Sequence, residues 1–190
     1  ISTKGSVELI RNAKKDGVQV TCETAPHYLL LTEKAVEGYN TNAKMSPPLR
    51  TEEDRLALIA GLKDGAIDMI ATDHAPLTLD DKHVEFNLAA NRIVGLETAL
   101  PLIYTHLVAK KLISLERMVE LMSLSPAKVF NLENRGLSAG AVADITVFDP
   151  KTTKRVNPAK FFSKGKNTPF GGETLSGWAT HTIVNGDLKF

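Results

Sequence analysis

Apolar residues at the start of the chain recur first at helical and then at strand spacing. A helix is predicted over residues 5–15, with Ser6 as its cap and Gly17 as its end. Three apolar residues at helical spacing support it: Val7, Ile10 and Ala13. Residues 18–23 (VQVTCE) then alternate between apolar and polar side chains, which predicts a strand. The opening segment is therefore a helix followed by a strand.

The same order of elements repeats further along. Thr51 and Asp54 have the spacing of a capping box, and Gly65 is placed to end the helix that they begin. Four apolar positions fill this helix: Leu56, Ile59, Ala60 and Leu62. Residues 67–71 (IDMIA) form a short apolar run of the kind found in buried strands. Two consecutive helix-then-strand units predict part of a parallel α/β fold.

A helical section follows a polar stretch at residues 78–87, which is either a mobile flap or an ordinary surface loop. Three helices are predicted: residues 95–110, 114–122 and 125–132. The last of them has Ser125 at the cap and Pro126 at the first helical position. Beyond Gly136 the pattern changes to a small β module with Trp178 as a packing residue. Its predicted elements are residues 143–148 and 180–184, an Asn185-Gly186 hairpin turn and residues 188–190.

Composition narrows the classes of partner. The 190 residues are 43% hydrophobic, which is enough for a sizeable core, and 23 basic against 22 acidic side chains leave a net charge of +1. No nucleic-acid or membrane partner is expected, because no run of like charge or of apolar residues is long enough. The single cysteine, Cys22, fits a core residue in a cytoplasmic protein. Because a helical pattern follows Ile1 at once, we interpret the chain as a piece of a longer protein.

The strongest candidate for chemistry is Asp73, in the segment 70–76 (IATDHAP) directly after a predicted buried strand. Parallel α/β barrels place their reacting groups at such strand ends. A carboxylate there can bind a metal, or take a proton from a water that a metal has acidified. An Asp-His pair beyond a strand is also a common cap or turn, so the residues alone leave both interpretations open.

His27, in the segment 23–28 (ETAPHY), follows the other predicted strand and should lie at the same rim as Asp73. A lone histidine beside a proline is usually structural or half-exposed, and the sequence nearby offers no paired ligand for zinc. The remaining histidines away from Asp73 have no motif context: His83, His106 and His181.

Eight short segments, taken in order, resemble the bacterial dihydroorotases over essentially the whole chain. They are residues 1–3 (IST), 23–28 (ETAPHY), 44–50 (KMSPPLR), 65–76 (GAIDMIATDHAP), 93–102 (IVGLETALPL), 125–127 (SPA), 143–144 (AD) and 166–170 (KNTPF). The resemblance implies a metal-dependent-hydrolase fold, a distorted (β/α)8 barrel. Residues 1–135 would be the C-terminal part of the barrel, and residues 136–190 the C-terminal part of a small β-sandwich module.

The resemblance also implies one or two Zn²⁺ ions, with Asp73 as both metal ligand and general acid/base. The other ligands would precede Ile1. Substrate contacts would come from Ser46, Leu77, Asn91 and Arg92. Three of these depart from the family pattern, which has Asn in place of Ser46, His in place of Leu77 and Gly in place of Arg92, so the pocket is weakened, retuned or inactive.

The expected activity of the intact protein is the zinc-dependent, reversible hydrolysis of dihydroorotate to N-carbamoyl-aspartate in pyrimidine synthesis. Partners would be this small substrate, the missing N-terminal half of the barrel and a further copy of the protein. Two alternatives stay open. One is another cyclic amidohydrolase, such as an allantoinase or hydantoinase, which ETAPHY and Leu77 favour. The other is a noncatalytic subunit that scaffolds aspartate transcarbamoylase.

Overall fold

The cap of the first helix lies three residues before the predicted one. In the computed structural model, which describes residues 1–132 and 136–190, α1 spans Lys4–Lys15. Its cap is Thr3, whose side chain accepts a hydrogen bond from the backbone N–H of Ser6 at 3.1 Å. The prediction of Ser6 as cap was wrong because Ser6 already lies in the first helical turn. Gly17 has a φ of 80°, which suits the chain reversal that follows the helix.

Two short parallel strands form the first sheet. Strand β1 is Glu23–Thr24 and strand β2 is Met69–Ile70, paired so that Glu23 is opposite Met69. The predicted parallel arrangement is confirmed, but the strands are shorter than predicted, and residues 18–22 lie outside the sheet. Alternating side chains become a strand only where a neighbour supplies backbone hydrogen bonds. Here the ladder extends no further than Asp68 N to Cys22 O at 3.1 Å and Ala71 N to Thr24 O at 2.8 Å.

Helix α3, Glu52–Asp64, was predicted correctly at both ends. A short helix α2, Pro26–Leu30, and two 3-10 segments, Glu33–Tyr39 and Thr41–Ala43, separate it from β1. Thr51 and Asp54 form the reciprocal capping box, and Gly65 ends the helix with a left-handed φ of 83°.

The polar stretch after β2 contains a short helix. Helix α4 spans Leu79–Lys82 and is opened by a capping box between Thr78 and Asp81. Lys82 is buried, and its ammonium group donates to Thr41 O at 2.9 Å and Ala90 O at 2.7 Å. Burial and the nearby Lys44 charge lower the pKa of Lys82 to about 8. These contacts anchor the stretch to the segments on either side of it.

The predicted helices near residues 114–132 form one continuous helical segment. Helix α5, Ala99–Ile103, continues into a π-helical turn, Tyr104–Val108. Helix α6, Leu115–Val119, then runs through a second π-helical turn, Glu120–Leu124, into α7, Ser125–Val129. Ser125 is therefore not a cap: its φ of −65° is helical because the preceding turn never breaks.

An antiparallel sheet of three strands follows, in which the strands lie side by side in the order of the sequence. The strands are β3, Ile145–Arg155; β4, Thr174–Val184; and β5, Asp187–Leu188, with a 3-10 turn at Pro158–Lys160. The predicted hairpin turn is confirmed, since Asn185 and Gly186 have φ values of 52° and 84°. Trp178 is partly buried and donates to Leu175 O at 2.7 Å. The proposed domain boundary at residue 135 lies outside the described residues.

One hydrophobic core connects these parts. It extends from Val7 in α1 through Leu58 in α3 and Leu102 in α5 to Leu175 in β4. Cys22 belongs to it, as predicted: it is 9% exposed and its thiol donates to Ala66 O at 3.3 Å. In the part of the chain that the structure describes, no helix has the length and apolar character needed to cross a membrane.

Candidate functional site

The two parallel strands bring their following segments to one edge. The chain leaves β1 into α2, which carries His27, and leaves β2 into the turn that carries Asp73. Because β1 and β2 run in the same direction, their carboxyl ends lie side by side. The prediction that His27 and Asp73 share a rim is confirmed by an approach of 4.0 Å between His27 Nε2 and Asp73 Oδ2.

Asp73 is held in a backbone conformation that a non-glycine residue seldom adopts. Its φ is 47°, in the left-handed region, where Asp and Asn are the side chains best tolerated. Its carboxylate is 30% exposed, so water and ligands reach it. One oxygen faces His27, and the other lies 3.4 Å from the guanidinium of Arg92. The carboxylate thus stands between a buried imidazole and an exposed cation.

His27 is more deeply buried than the sequence suggested. It is 1% exposed, and its Nε2 atom has no hydrogen-bond partner among the described residues. Burial lowers the pKa of His27 from 6.5 to about 4, so the ring is neutral near pH 7. Tyr28 packs against it, with the ring centroids 4.2 Å apart. A neutral, unpartnered ring nitrogen is free to bind a metal or to donate to Asp73.

His74 has a structural contact instead. Its Nδ1 accepts a hydrogen bond from the backbone N–H of Gly95 at 3.0 Å. This bond fixes the turn after β2 to the segment before α5, together with Ala75 N to Ile93 O at 2.8 Å. A Cβ atom at Gly95 would lie 2.6 Å from Thr72 O, so this close approach requires glycine.

Sequence reasoning gave no role to Asn167, although its segment supported the resemblance. Asn167 is 5% exposed. Its Oδ1 accepts from Leu77 N at 3.0 Å, and its Nδ2 donates to Ala75 O at 3.0 Å and Arg92 O at 3.2 Å. One buried amide therefore holds together two segments of the rim. Its position in the KNTPF motif was the available signal.

The structure brings the segments of the predicted substrate residues together. Arg92 N donates to Lys44 O at 2.8 Å, which places the segment before Ser46 beside the Arg92 segment. Leu77 and Arg92 are joined through Asn167, while Ser46 and Asn91 are exposed. Of these four residues, Arg92 has a direct contact with Asp73. Substrate contacts of Ser46, Leu77, Asn91 and Arg92 stay a prediction.

A metal site in this region is incomplete within the described residues. No group of three or more His, Cys, Asp or Glu side chains there is close enough to hold an ion. Asp73 and His27 supply two donors, a carboxylate and an unpartnered neutral imidazole nitrogen, both of kinds that zinc binds. The chemistry of these two donors fits part of a metal site.

Comparison with known proteins gives matches over nearly the whole chain. A dihydroorotase of Geotalea daltonii is 56% identical over 188 residues, covering 99% of this chain and 44% of the relative. A dihydroorotase of Brevibacillus brevis is 52% identical over 191 residues, covering 100% and 45%. The chain thus spans less than half the length of these curated relatives.

Solved structures of related proteins also match nearly the whole chain. An L-hydantoinase (dihydropyrimidinase) from Arthrobacter aurescens matches with a TM-score of 0.93 and 35% identity over 99% of this chain and 43% of that one. A dihydropyrimidinase from Brevibacillus agri matches with a TM-score of 0.90 and 25% identity over the same shares. The amidohydrolase family model matches residues 2–189. The α/β fold described above is thus that of a metal-dependent hydrolase, and the chain belongs to the amidohydrolase family.

Proposed function

We propose that the intact protein is a dihydroorotase, which reversibly hydrolyses the cyclic amide of dihydroorotate to N-carbamoyl-aspartate. In this proposal residues 1–135 are the last strands and helices of a (β/α)8 barrel, and residues 136–190 are part of a β module. Relatives of that name match the whole chain at more than 50% identity. The N-terminal half of the barrel would supply the remaining metal ligands.

The observation that carries the proposal is the position of Asp73. Its partly exposed carboxylate lies at the carboxyl end of a parallel strand, 4.0 Å from the unpartnered Nε2 of a neutral histidine. Hydrolysis of an amide needs a group that takes a proton from water and returns it to the leaving nitrogen. A carboxylate reachable by solvent and oriented by its neighbours is suited to this exchange.

Asp73 would hold the metal and also act as the proton carrier. When bound, a divalent ion polarises the ring carbonyl and acidifies water. Asp73 accepts the proton of the attacking water and delivers it to the ring nitrogen as the carbon–nitrogen bond breaks. His27 Nε2 lies 4.0 Å from the same carboxylate and makes no hydrogen bond among the described residues, so it would be available to the metal as a second ligand.

The test uses the full-length protein that contains this chain, assayed for dihydroorotate hydrolysis and for the reverse ring closure. Asp73→Asn is expected to abolish both directions, because amide nitrogen cannot carry the proton. Asp80→Asn, at an exposed position of α4, is the matched control and should leave the rate unchanged. Wild-type rates in Asp73→Asn would reject this role of Asp73.

The second candidate is a hydantoinase-type activity on another cyclic amide. It is favoured by the match to an L-hydantoinase at 35% identity, and by Leu77, whose side chain offers substrate no polar atom. Turnover of dihydroorotate, hydantoin and dihydrouracil, measured side by side, separates the two. Absence of turnover with all three would support a noncatalytic role instead, including that of a scaffold subunit.

A further inference from the structure

Arg92 places a cation at the mouth of the candidate site, paired with Asp73 but without a hydrogen bond from its guanidinium to the described residues. Its side chain is 52% exposed, and one guanidinium nitrogen lies 3.4 Å from Asp73 Oδ1. Across the described residues this guanidinium donates no hydrogen bond, so its N–H groups remain available to a ligand. A guanidinium presents its charge and its donors in one planar group, which matches the geometry of a carboxylate.

The backbone of Arg92 is strained but firmly held. Its φ is 83°, a conformation that favours glycine over any residue with a Cβ atom. Two hydrogen bonds fix it there: Arg92 N donates to Lys44 O at 2.8 Å, and Asn167 Nδ2 donates to Arg92 O at 3.2 Å. A large side chain at such a position, beside a reactive carboxylate, is an outlier of the kind that marks functional sites.

No other candidate side chain of this pocket provides a cation. Ser46 has a short hydroxyl and Leu77 an apolar side chain. Among the described Lys and Arg side chains, Arg92 alone forms an ion pair with Asp73. A planar guanidinium binds a carboxylate through two parallel hydrogen bonds, which no neutral ligand group can reproduce.

We propose that Arg92 binds the anionic group of the substrate and so selects ring amides that carry a carboxylate over uncharged ones. The proposal rests on the proposed function, since it assumes that a ring amide is bound beside Asp73. When the carboxylate of the ligand occupies the guanidinium, Asp73 loses a competing positive charge and is free to exchange a proton.

The test measures binding by calorimetry on the metal-loaded, full-length protein. The two ligands are dihydroorotate and dihydrouracil, which share a ring and differ in the carboxylate. The wild type is expected to bind dihydroorotate at least tenfold more tightly. In Arg92→Gln the dissociation constant for dihydroorotate should rise by about ten- to a hundred-fold, the range of a lost charge-assisted pair, while that for dihydrouracil stays within about twofold.

Three further variants separate binding from folding. Arg92→Lys should keep part of the preference, because the positive charge remains but the two parallel hydrogen bonds of the guanidinium are lost. Arg92→Gly should relieve the backbone and raise the unfolding temperature, yet lose the preference. Arg11→Gln removes an equal charge from an exposed position on α1, paired with Asp64 at 2.6 Å, and should change neither ligand's affinity.

Equal weakening of both ligands in Arg92→Gln would overturn the proposal, because it would indicate a structural role. An unchanged preference would also overturn the proposal, since the anionic group would then be bound by other residues. Tighter binding of dihydroorotate by Arg92→Gln would overturn it too, because Arg92 would then hinder binding. Turnover by the same proteins tests the proposed function separately. A protein with the Arg92-dependent preference but no hydrolysis keeps this inference and loses the enzymatic assignment.

Discussion

Replacement of Asn167 should damage the site more than its distance from Asp73 along the chain suggests. Asn167→Ala removes three hydrogen bonds at 3.0 to 3.2 Å and leaves Leu77 N, Ala75 O and Arg92 O without their partner. A buried polar group left unpaired costs about 1 to 3 kcal/mol. Leu77 is only half-buried, so water replaces part of the hydrogen bond that its N–H group loses. We therefore expect the unfolding free energy to fall by about 3 kcal/mol in total.

Asn167→Asp sharpens this test, because it keeps the shape and removes the two N–H donors. Its carboxylate would face the oxygens of Ala75 and Arg92, so it should be at least as destabilising as Asn167→Ala. Asn12→Ala, at an exposed position of α1 without a side-chain hydrogen bond in the described part, is the control and should have almost no effect. The measurements are urea unfolding and kcat/KM of the full-length protein. Wild-type stability in Asn167→Asp would refute the argument.

Three further outcomes are expected for the full-length protein. Gly95→Ala should lower the unfolding free energy by about 1 to 3 kcal/mol in thermal or urea unfolding, because its Cβ would lie 2.6 Å from Thr72 O. Leu77→His and Ser46→Asn should each raise kcat/KM for dihydroorotate about tenfold, by one restored hydrogen bond; slower turnover in both would contradict the proposed pocket. His27 binds fewer protons when folded, so stability should fall by up to about 3 kcal/mol as pH drops from 6.5 to about 4. His27→Gln should flatten that dependence in urea titrations at several pH values.

Local signals predicted the elements that local chemistry determines. Thr51 and Asp54 specify the start of α3, and Gly65 specifies its end, because each acts through backbone groups within four residues. The hairpin at Asn185-Gly186 is equally local, since two left-handed residues suffice to reverse the chain.

Elements that depend on distant partners were predicted less well. Residues 18–22 alternate between apolar and polar side chains as a strand does. Their segment pairs with β2 only from Glu23 onward, where Glu23 is opposite Met69. Ser125 is a residue type that is common at helix caps. The helical segment nevertheless continues through it, because Met118 and Leu121 of the same segment are packed in the core. In both cases tertiary contacts override a local preference.

The candidate site shows the same difference between features set by local sequence and features set by distant contacts. Asp73 was found from its place after a buried strand, which is a local property of the chain. Its environment was not, because the approach of His27 depends on the parallel pairing of β1 with β2, and the orientation of Arg92 depends on Asn167, 75 residues away. The segment after β3 therefore returns to the first sheet to complete the rim. A cut between residues 136 and 166 would remove Asn167 from this rim, so the β module and the reactive carboxylate have to be studied in one protein.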